Sequence, residues 1–143
     1  MVGDGSYLMM NSEIATSVMM GKKLIITVLD NRGFGCINRL QQGTGGASFN
    51  NLLEKTSDVD FAAHAASLGA RSEKVASIAE MEAALKRARA ADRTYVIVID
   101  TDASKSTQAG GAWWDVAVPE TSPREEVRKA RAKYEETIRR IKS

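Results

Sequence analysis

Asp4, flanked by Gly3 and Gly5, and Asn31, in Leu29-Asp30-Asn31, are the residues whose types and spacing best suit chemistry. They lie 27 positions apart, which leaves room for one helix and one strand. That spacing puts a carboxylate and an amide oxygen at the ends of two neighbouring parallel strands. Two such oxygens, aimed at one spot beside a helix N-terminus, suit a hard cation and a diphosphate. Mg²⁺ takes about six oxygens in near-octahedral geometry and keeps phosphates among them. A main-chain carbonyl from Gly33, in the tight Arg32-Gly33-Phe34-Gly35 turn, would join the two side chains as a ligand. Gly3 and Gly5 let the backbone approach phosphates closely, and the Gly5 and Ser6 amides can donate to them near the start of the following helix. Gly-Asp-Gly alone occurs in many turns. Its combination with strand, helix, strand and a terminal Asp-Asn carries the reading.

The surrounding elements follow from periodicity. Asn11 to Met20 carries Ile14, Ala15, Val18 and Met19 at helical spacing, with Gly21 as the stop. Leu24 to Asp30 is β-branched and nearly all apolar, as a strand buried on both faces should be. Gly33 to Asn51 reads as irregular, rich in glycine and amides, and either functional or mobile. Its Gly43–Ser48 part is either a plain loop or a lid over substrate. Asp58 or Asp60 caps a helix through Phe61, Ala62, Ala65, Ala66 and Leu68 that stops at Gly69. Arg71 to Val75 is a short strand. Ser77-Ile-Ala-Glu80 is a capping box before the stripe Met81, Leu85 and Ala88. Tyr95 to Asp100 is a second central strand. Thr101 to Thr121 is a loop with Gly110-Gly111 and Trp113-Trp114. Ser122-Pro-Arg-Glu125 is a second capping box, and the last helix carries Val127, Ala130, Tyr134, Ile138 and Ile141 on one face.

This alternation predicts an α/β fold, a doubly wound, mostly parallel sheet flanked by helices. Residues 1–121 are expected to form the domain and 122–143 a C-terminal helix. Gly-Asp-Gly belongs at a strand's end, yet only Met1 and Val2 precede it. The chain is therefore expected to be a fragment truncated on its N-terminal side.

Composition narrows the function classes. At 43% hydrophobic and 27% charged, the chain has ordinary globular character. A formal charge of +2 gives no argument for nucleic acid. No apolar run approaches the roughly 20 residues of a membrane span, and the start lacks a signal peptide's apolar stretch. The single cysteine, Cys36, excludes an internal disulfide and reads as a small buried hydrophobe; a reducing, cytoplasmic location is expected. His64, in an alanine-rich helix, reads as a packed residue without a catalytic role.

Gly3-Asp4-Gly5 followed by Asn31 resembles the thiamine-diphosphate-binding signature of the acetolactate synthase and pyruvate decarboxylase superfamily. By that resemblance Asp4 and Asn31 supply side-chain Mg²⁺ ligands and Gly33 a main-chain one. Glu13 matches the family glutamate that faces the site from the same helix. Gly3, Gly5, Ser6, Phe34, Gly35 and Cys36 join the cofactor-binding set. Four longer stretches, Leu29–Gln42, Gly45–Asn51, Asp60–Gly69 and Gly110–Pro119, are similar to one branch. That branch is the ring-opening trihydroxycyclohexane-1,2-dione hydrolases of myo-inositol breakdown. Generic acetolactate synthases carry bulkier residues around 32–34 and lack the Trp113-Trp114-Asp115 tail. The link Glu54–Asp58 is shorter than expected for this branch, so residues between Leu53 and Asp60 are expected to be missing.

The resemblance implies C–C cleavage of a polyhydroxylated cyclic dione by thiamine diphosphate with Mg²⁺. It also implies that the glutamate activating the aminopyrimidine lies in another domain, normally a neighbouring subunit's. A homodimer or homotetramer is expected, with this chain inactive alone. The alternatives are an acetolactate-synthase-like carboligase or decarboxylase, and a non-catalytic Rossmann-like binding domain.

Overall fold

The computed structural model describes residues 1–49, 51, 59–105 and 116–142. The Glu54–Asp58 link, Gly110-Gly111 and Trp113-Trp114 lie outside the described residues. The chain divides into two compact units, Met1–Phe34 with Leu53–Ala103, and Gly35–Leu52 with Ser104–Ser143.

The first unit is a four-stranded, wholly parallel sheet in the order β1-β2-β4-β3. Its strands are β1 (Val2–Gly3), β2 (Ile25–Asp30), β3 (Arg71–Val75) and β4 (Tyr95–Asp100). The helices α1 (Asp4–Met10), α2 (Ser12–Met19), α4 (Phe61–Ser67) and α5 (Ile78–Ala90) complete it. Side chains alternate across the sheet, so β4 feeds two cores. Val96 and Val98 pack with Val28, Tyr7, Ile14, Phe61 and Ala65. Ile97 and Ile99 pack on the opposite face with Val75, Ala84 and Ala88. The chain crosses the sheet from β1 to β3, then turns back to β4. Right-handed crossovers made in opposite directions cover opposite faces, which accounts for α5 lying across the sheet from α1, α2 and α4.

β4 is buried from Tyr95 to Ile99, whereas β2 leaves Ile25 39% exposed. The two-residue β1 pairs only with Val28 and Leu29, so among the described residues the start of β2 has no strand neighbour on that side. The expected burial of β2 on both faces therefore fails at its start: Ile25 is exposed and Ile26 half-buried, whereas Thr27, Val28 and Asp30 are buried.

Helix ends follow local chemistry. The Asp60 side chain accepts from Ala63 N at 2.9 Å, and Gly69 takes φ +92° after α4. Ser77 Oγ accepts from Glu80 N at 3.2 Å, and Glu80 Oε2 accepts from Ala76 N at 2.8 Å. Gly21 stops α2 at φ +63°. A helix also runs from Asp4, ahead of the expected Asn11 start. Asn11 breaks it, its Nδ2 donating to Leu8 O at 2.9 Å. Met19, which shares the helical spacing of Ile14, Ala15 and Val18, is 80% exposed.

The second unit contains α3 (Gly35–Gly43) and α6 (Glu125–Lys142). Its first segment was expected to be irregular throughout; α3 occupies half of it. Gly45 then takes φ +82° against the start of α6, where a Cβ would meet Glu126 O at 2.5 Å. The Ser122 capping box does not form as expected. Ser122 Oγ accepts from Arg124 N at 3.1 Å, and α6 begins at Glu125. Arg128 explains the shift, because its Nη1 donates to the Ser122 and Pro123 carbonyls at 2.9 and 2.8 Å and holds them as a turn. On α6 only Val127 is fully buried, and Ile141 is 54% exposed.

Candidate functional site

Asp4 follows β1 directly and Asn31 follows β2 directly, so both stand at carboxyl ends of adjacent parallel strands. Asp4 is 1% exposed. Its Oδ2 accepts from Gly33 N at 2.5 Å and its Oδ1 from Asn31 N at 3.3 Å. One carboxylate thus ties the start of α1 to the turn after β2 through two charge-assisted bonds. The end of the Asn31 amide lies 3.1 Å from Asp4 Oδ1 and 2.9 Å from the Gly33 carbonyl oxygen. The three groups expected from the sequence to share a cation are therefore side by side.

A second carboxylate shapes the turn. Asp30 Oδ1 accepts from Arg32 N at 2.9 Å, and Arg32 takes the left-handed conformation at φ +66°. This is the Asx turn that an aspartate makes with the amide two residues on. Gly33 follows at φ +135°, a backbone that only glycine adopts without strain. The Asp30 carbonyl accepts from Thr101 N at 2.7 Å and from Thr101 Oγ1 at 3.1 Å, which fixes the strand end from the other side. Burial pushes the Asp30 carboxyl above its ordinary range; the Arg32 amide opposes this, and Asp4 and Asp100 add to it. Asp30 was no sequence candidate, although Asp-Asn-Arg-Gly carries the signal of such a turn.

Gly5 is required by packing. A Cβ there would lie 2.7 Å from Phe34 Cδ1 and 3.2 Å from the Gly33 carbonyl oxygen. Phe34, 39% exposed, lies over the start of α1. At Gly3 a Cβ would meet nothing within 4 Å, so the backbone is open to an approaching group. As the N-cap of α1, Gly3 makes no side-chain bond to the first-turn amides. Ser6 is exposed in that first turn. Tyr7, one turn after Asp4, is buried and hydrogen-bonded to His64 Nδ1 at 2.8 Å, so His64 packs as expected.

Glu13 is exposed on α2 and lines a cleft with Val2, Ser6, Tyr7, Ile25 and Met1. Among the described residues it makes no hydrogen bond to Asp4, Asn31 or Gly33. Gly35 and Cys36 open α3 in the other unit; Gly35 is buried, but Cys36 is exposed, contrary to its reading as a buried hydrophobe. On the first turn of α3 only Gly35 faces inward.

One carboxylate, one amide and one carbonyl form a hard oxygen donor set suited to Mg²⁺ and not to soft metals. No group of three or more His, Cys, Asp or Glu that could hold a metal occurs among the described residues. Such a site needs oxygens from a ligand to complete the cation's shell, as a diphosphate would provide. No helix among the described residues is long and apolar enough to cross a membrane.

Comparison with known proteins gives the chain's family. The 3D-(3,5/4)-trihydroxycyclohexane-1,2-dione hydrolase of Halalkalibacterium halodurans is 38% identical over 146 residues, covering 99% of this chain and 23% of its own. The Bacillus subtilis protein of the same name is 35% identical over 150 residues, covering 99% of this chain and 22% of its own. The chain thus spans under a quarter of the length of these curated relatives. In fold it is similar to the Rhodococcus jostii RHA1 thiamine diphosphate-dependent 4-hydroxybenzoylformate decarboxylase. That likeness has a TM-score of 0.64 at 24% identity, over 71% of this chain and 19% of that one. The family described as thiamine pyrophosphate enzyme, C-terminal TPP binding domain, matches residues 1–99. The chain belongs to the thiamine pyrophosphate enzyme family and carries its C-terminal TPP-binding domain.

Proposed function

We propose that this chain anchors the diphosphate and Mg²⁺ of a thiamine-diphosphate-dependent hydrolase that opens the ring of trihydroxycyclohexane-1,2-dione. The observation that carries the cofactor part is the convergence of Asp4, Asn31 and the Gly33 carbonyl at two adjacent strand ends. The substrate part rests on the relatives' shared name and their match along nearly the whole chain.

Asp4 holds the cation with a carboxylate oxygen, Asn31 with its amide oxygen, and Gly33 with its carbonyl. The open backbone at Gly3 and the first-turn amides of Gly5 and Ser6 receive the diphosphate. Phe34, Gly35 and Cys36 contribute to the cofactor pocket, and Glu13 faces the cofactor from α2. When bound, thiamine diphosphate supplies the nucleophile and the electron sink for C–C cleavage; the protein contributes position and polarity. Residues 1–121 act as the cofactor-binding domain and 122–143 as its C-terminal helix. The remaining catalytic groups, including the glutamate that activates the aminopyrimidine, come from the rest of a longer cytoplasmic polypeptide and a second subunit, in a homodimer or homotetramer.

A second reading, acetolactate-synthase-like carboligation or decarboxylation, uses the same anchor. The full-length protein decides between them. Ring opening that depends on thiamine diphosphate and Mg²⁺, without acetolactate formation from pyruvate, is the expected result. Carboligation alone would overturn the substrate assignment, and neither activity would leave a binding scaffold.

A further inference from the structure

We propose that the cavity between α3 and α6 binds a small carboxylate with an apolar body. The cavity lies wholly in the second unit and has a volume of about 370 Å³. That is within the size range of small-molecule sites. Ala130, Lys133, Tyr134 and Thr137 follow the spacing i, i+3, i+4, i+7, so one face of α6 forms a wall. Arg39 and Leu40 of α3 face it, and Val116 and Val118 close it before α6 begins. The walls are tied together. Arg131 Nη1 donates to the Val118 carbonyl at 2.9 Å, and Arg124 Nε donates to the Gly45 carbonyl at 3.3 Å. Thr44 Oγ1 donates to the Leu40 carbonyl at 3.0 Å and fixes the end of α3.

Charge selects the ligand. Elsewhere on this unit, Arg124 pairs with Glu126, Lys129 with Glu125, and Arg131 with Glu120 and Glu135. Arg39 and Lys133 differ: among the described residues neither side chain makes an ion pair or a hydrogen bond. Both are exposed at the cavity's rim, and no described acidic residue lines it. The Thr137 hydroxyl is spent on the Lys133 carbonyl at 2.9 Å. The Tyr134 hydroxyl makes no hydrogen bond among the described residues, while its ring is held under the Arg131 guanidinium, 5.6 Å from the centroid. Two cations and one phenol are thus left to donate above a floor of Leu40, Val116, Val118 and Ala130. A carboxylate fits the planar guanidinium with two parallel hydrogen bonds, and the ammonium adds a point charge. A bare inorganic anion would leave the apolar floor uncovered. A neutral hydrocarbon would leave both cations unmatched.

The test is ligand-observed saturation-transfer NMR on the full-length protein, with 3-phenylpropionate as probe beside its uncharged amide. The acid should bind saturably and about tenfold more tightly than the amide, since charge-assisted hydrogen bonds are the stronger kind. Raised salt should narrow the difference, because both cations are exposed. Arg39→Gln with Lys133→Gln should erase the preference for the acid, whereas Lys133→Arg should keep it. Both substitutions lie on exposed side chains, and an unchanged melting temperature shows that the fold is intact. Asp4→Asn, at the strand ends, should leave probe binding unchanged. No saturable binding, equal binding of acid and amide, or a preference that survives the double substitution would overturn the proposal. Loss of binding in Asp4→Asn would move the probe to the strand ends and overturn it too.

Discussion

β2 and β4 run side by side and end in the same residue at the same level, Asp30 opposite Asp100. Their fates differ. Asp30 is 7% exposed and folds back onto the Arg32 amide, whereas the Asp100 side chain is 54% exposed and pairs with Lys74 Nζ at 2.9 Å. Residue type and register are equal, so the cause lies in what surrounds each end. Beyond β2 come Asn31, a left-handed Arg32 and Gly33, beside the helix that begins with Asp4. Beside Asp100 runs the edge strand β3, which offers a lysine. One strand end is enclosed by a neighbouring helix start and forms the candidate site; the other is a solvated ion pair.

Asp4→Ala should break this contrast most severely. It strips the acceptor from two main-chain N–H groups at an enclosed position, a loss of about 2–4 kcal/mol. Denaturant unfolding of the variant measures it. A loss no larger than that of Asp100→Ala would erase the distinction between the two strand ends.

Gly5→Ala tests whether packing at the start of α1 supports the turn. The added methyl would lie 2.7 Å from a Phe34 ring carbon. Overpacking of this kind costs about 1–3 kcal/mol. Adding Phe34→Ala should recover most of that loss, as thermal melts of the single and double variants would reveal. No recovery would place the strain on the Gly33 carbonyl instead.

The pH dependence sharpens the comparison by sign. Burial raises the Asp30 carboxyl above its unfolded value, so the folded state holds that proton more tightly. Its contribution is fully present below the ordinary aspartate range and is lost as pH rises through the raised value. Glu73 behaves oppositely, because the Arg87 side chain lowers its carboxyl. Its contribution is present above the ordinary glutamate range and lost as pH falls through the lowered value. Urea unfolding across the carboxylate range should give opposite changes of slope for Asp30→Asn and Glu73→Gln. Changes of the same sign would contradict the assigned environments.

The smallest effect belongs to Asp100→Ala. An exposed pair such as Lys74–Asp100 is worth about 0–1 kcal/mol, and raised salt should shrink it further. A larger loss in equilibrium unfolding would mean that Asp100 takes part in the enclosed end after all.

The sequence made the parallel sheet legible because β2 and β4 are short apolar runs bounded by Asp30 and Asp100, with amphipathic helices between. It also singled out Asp4, Asn31 and Gly33, since their types and spacing carry the information. Other features depend on neighbours distant in the chain. The Phe34 ring explains Gly5 only once the turn folds over α1. Arg128 moves the start of α6 past Ser122 by holding two carbonyls from the following turn. α3 was hidden by glycines at both its ends and amides within it. Met19 and Ile141 have the right helical phase, yet both are exposed, which helical spacing alone does not reveal.

The most direct test of the anchor is a calorimetric titration of thiamine diphosphate into the 143-residue chain, with Mg²⁺ and with a chelator, beside Asp4→Asn. The neutral amide retains the shape of Asp4 while removing its charge. Binding that requires Mg²⁺ and is lost in Asp4→Asn is the expected result. Equal binding by both forms, or binding that ignores the chelator, would contradict a cation held by Asp4, Asn31 and Gly33.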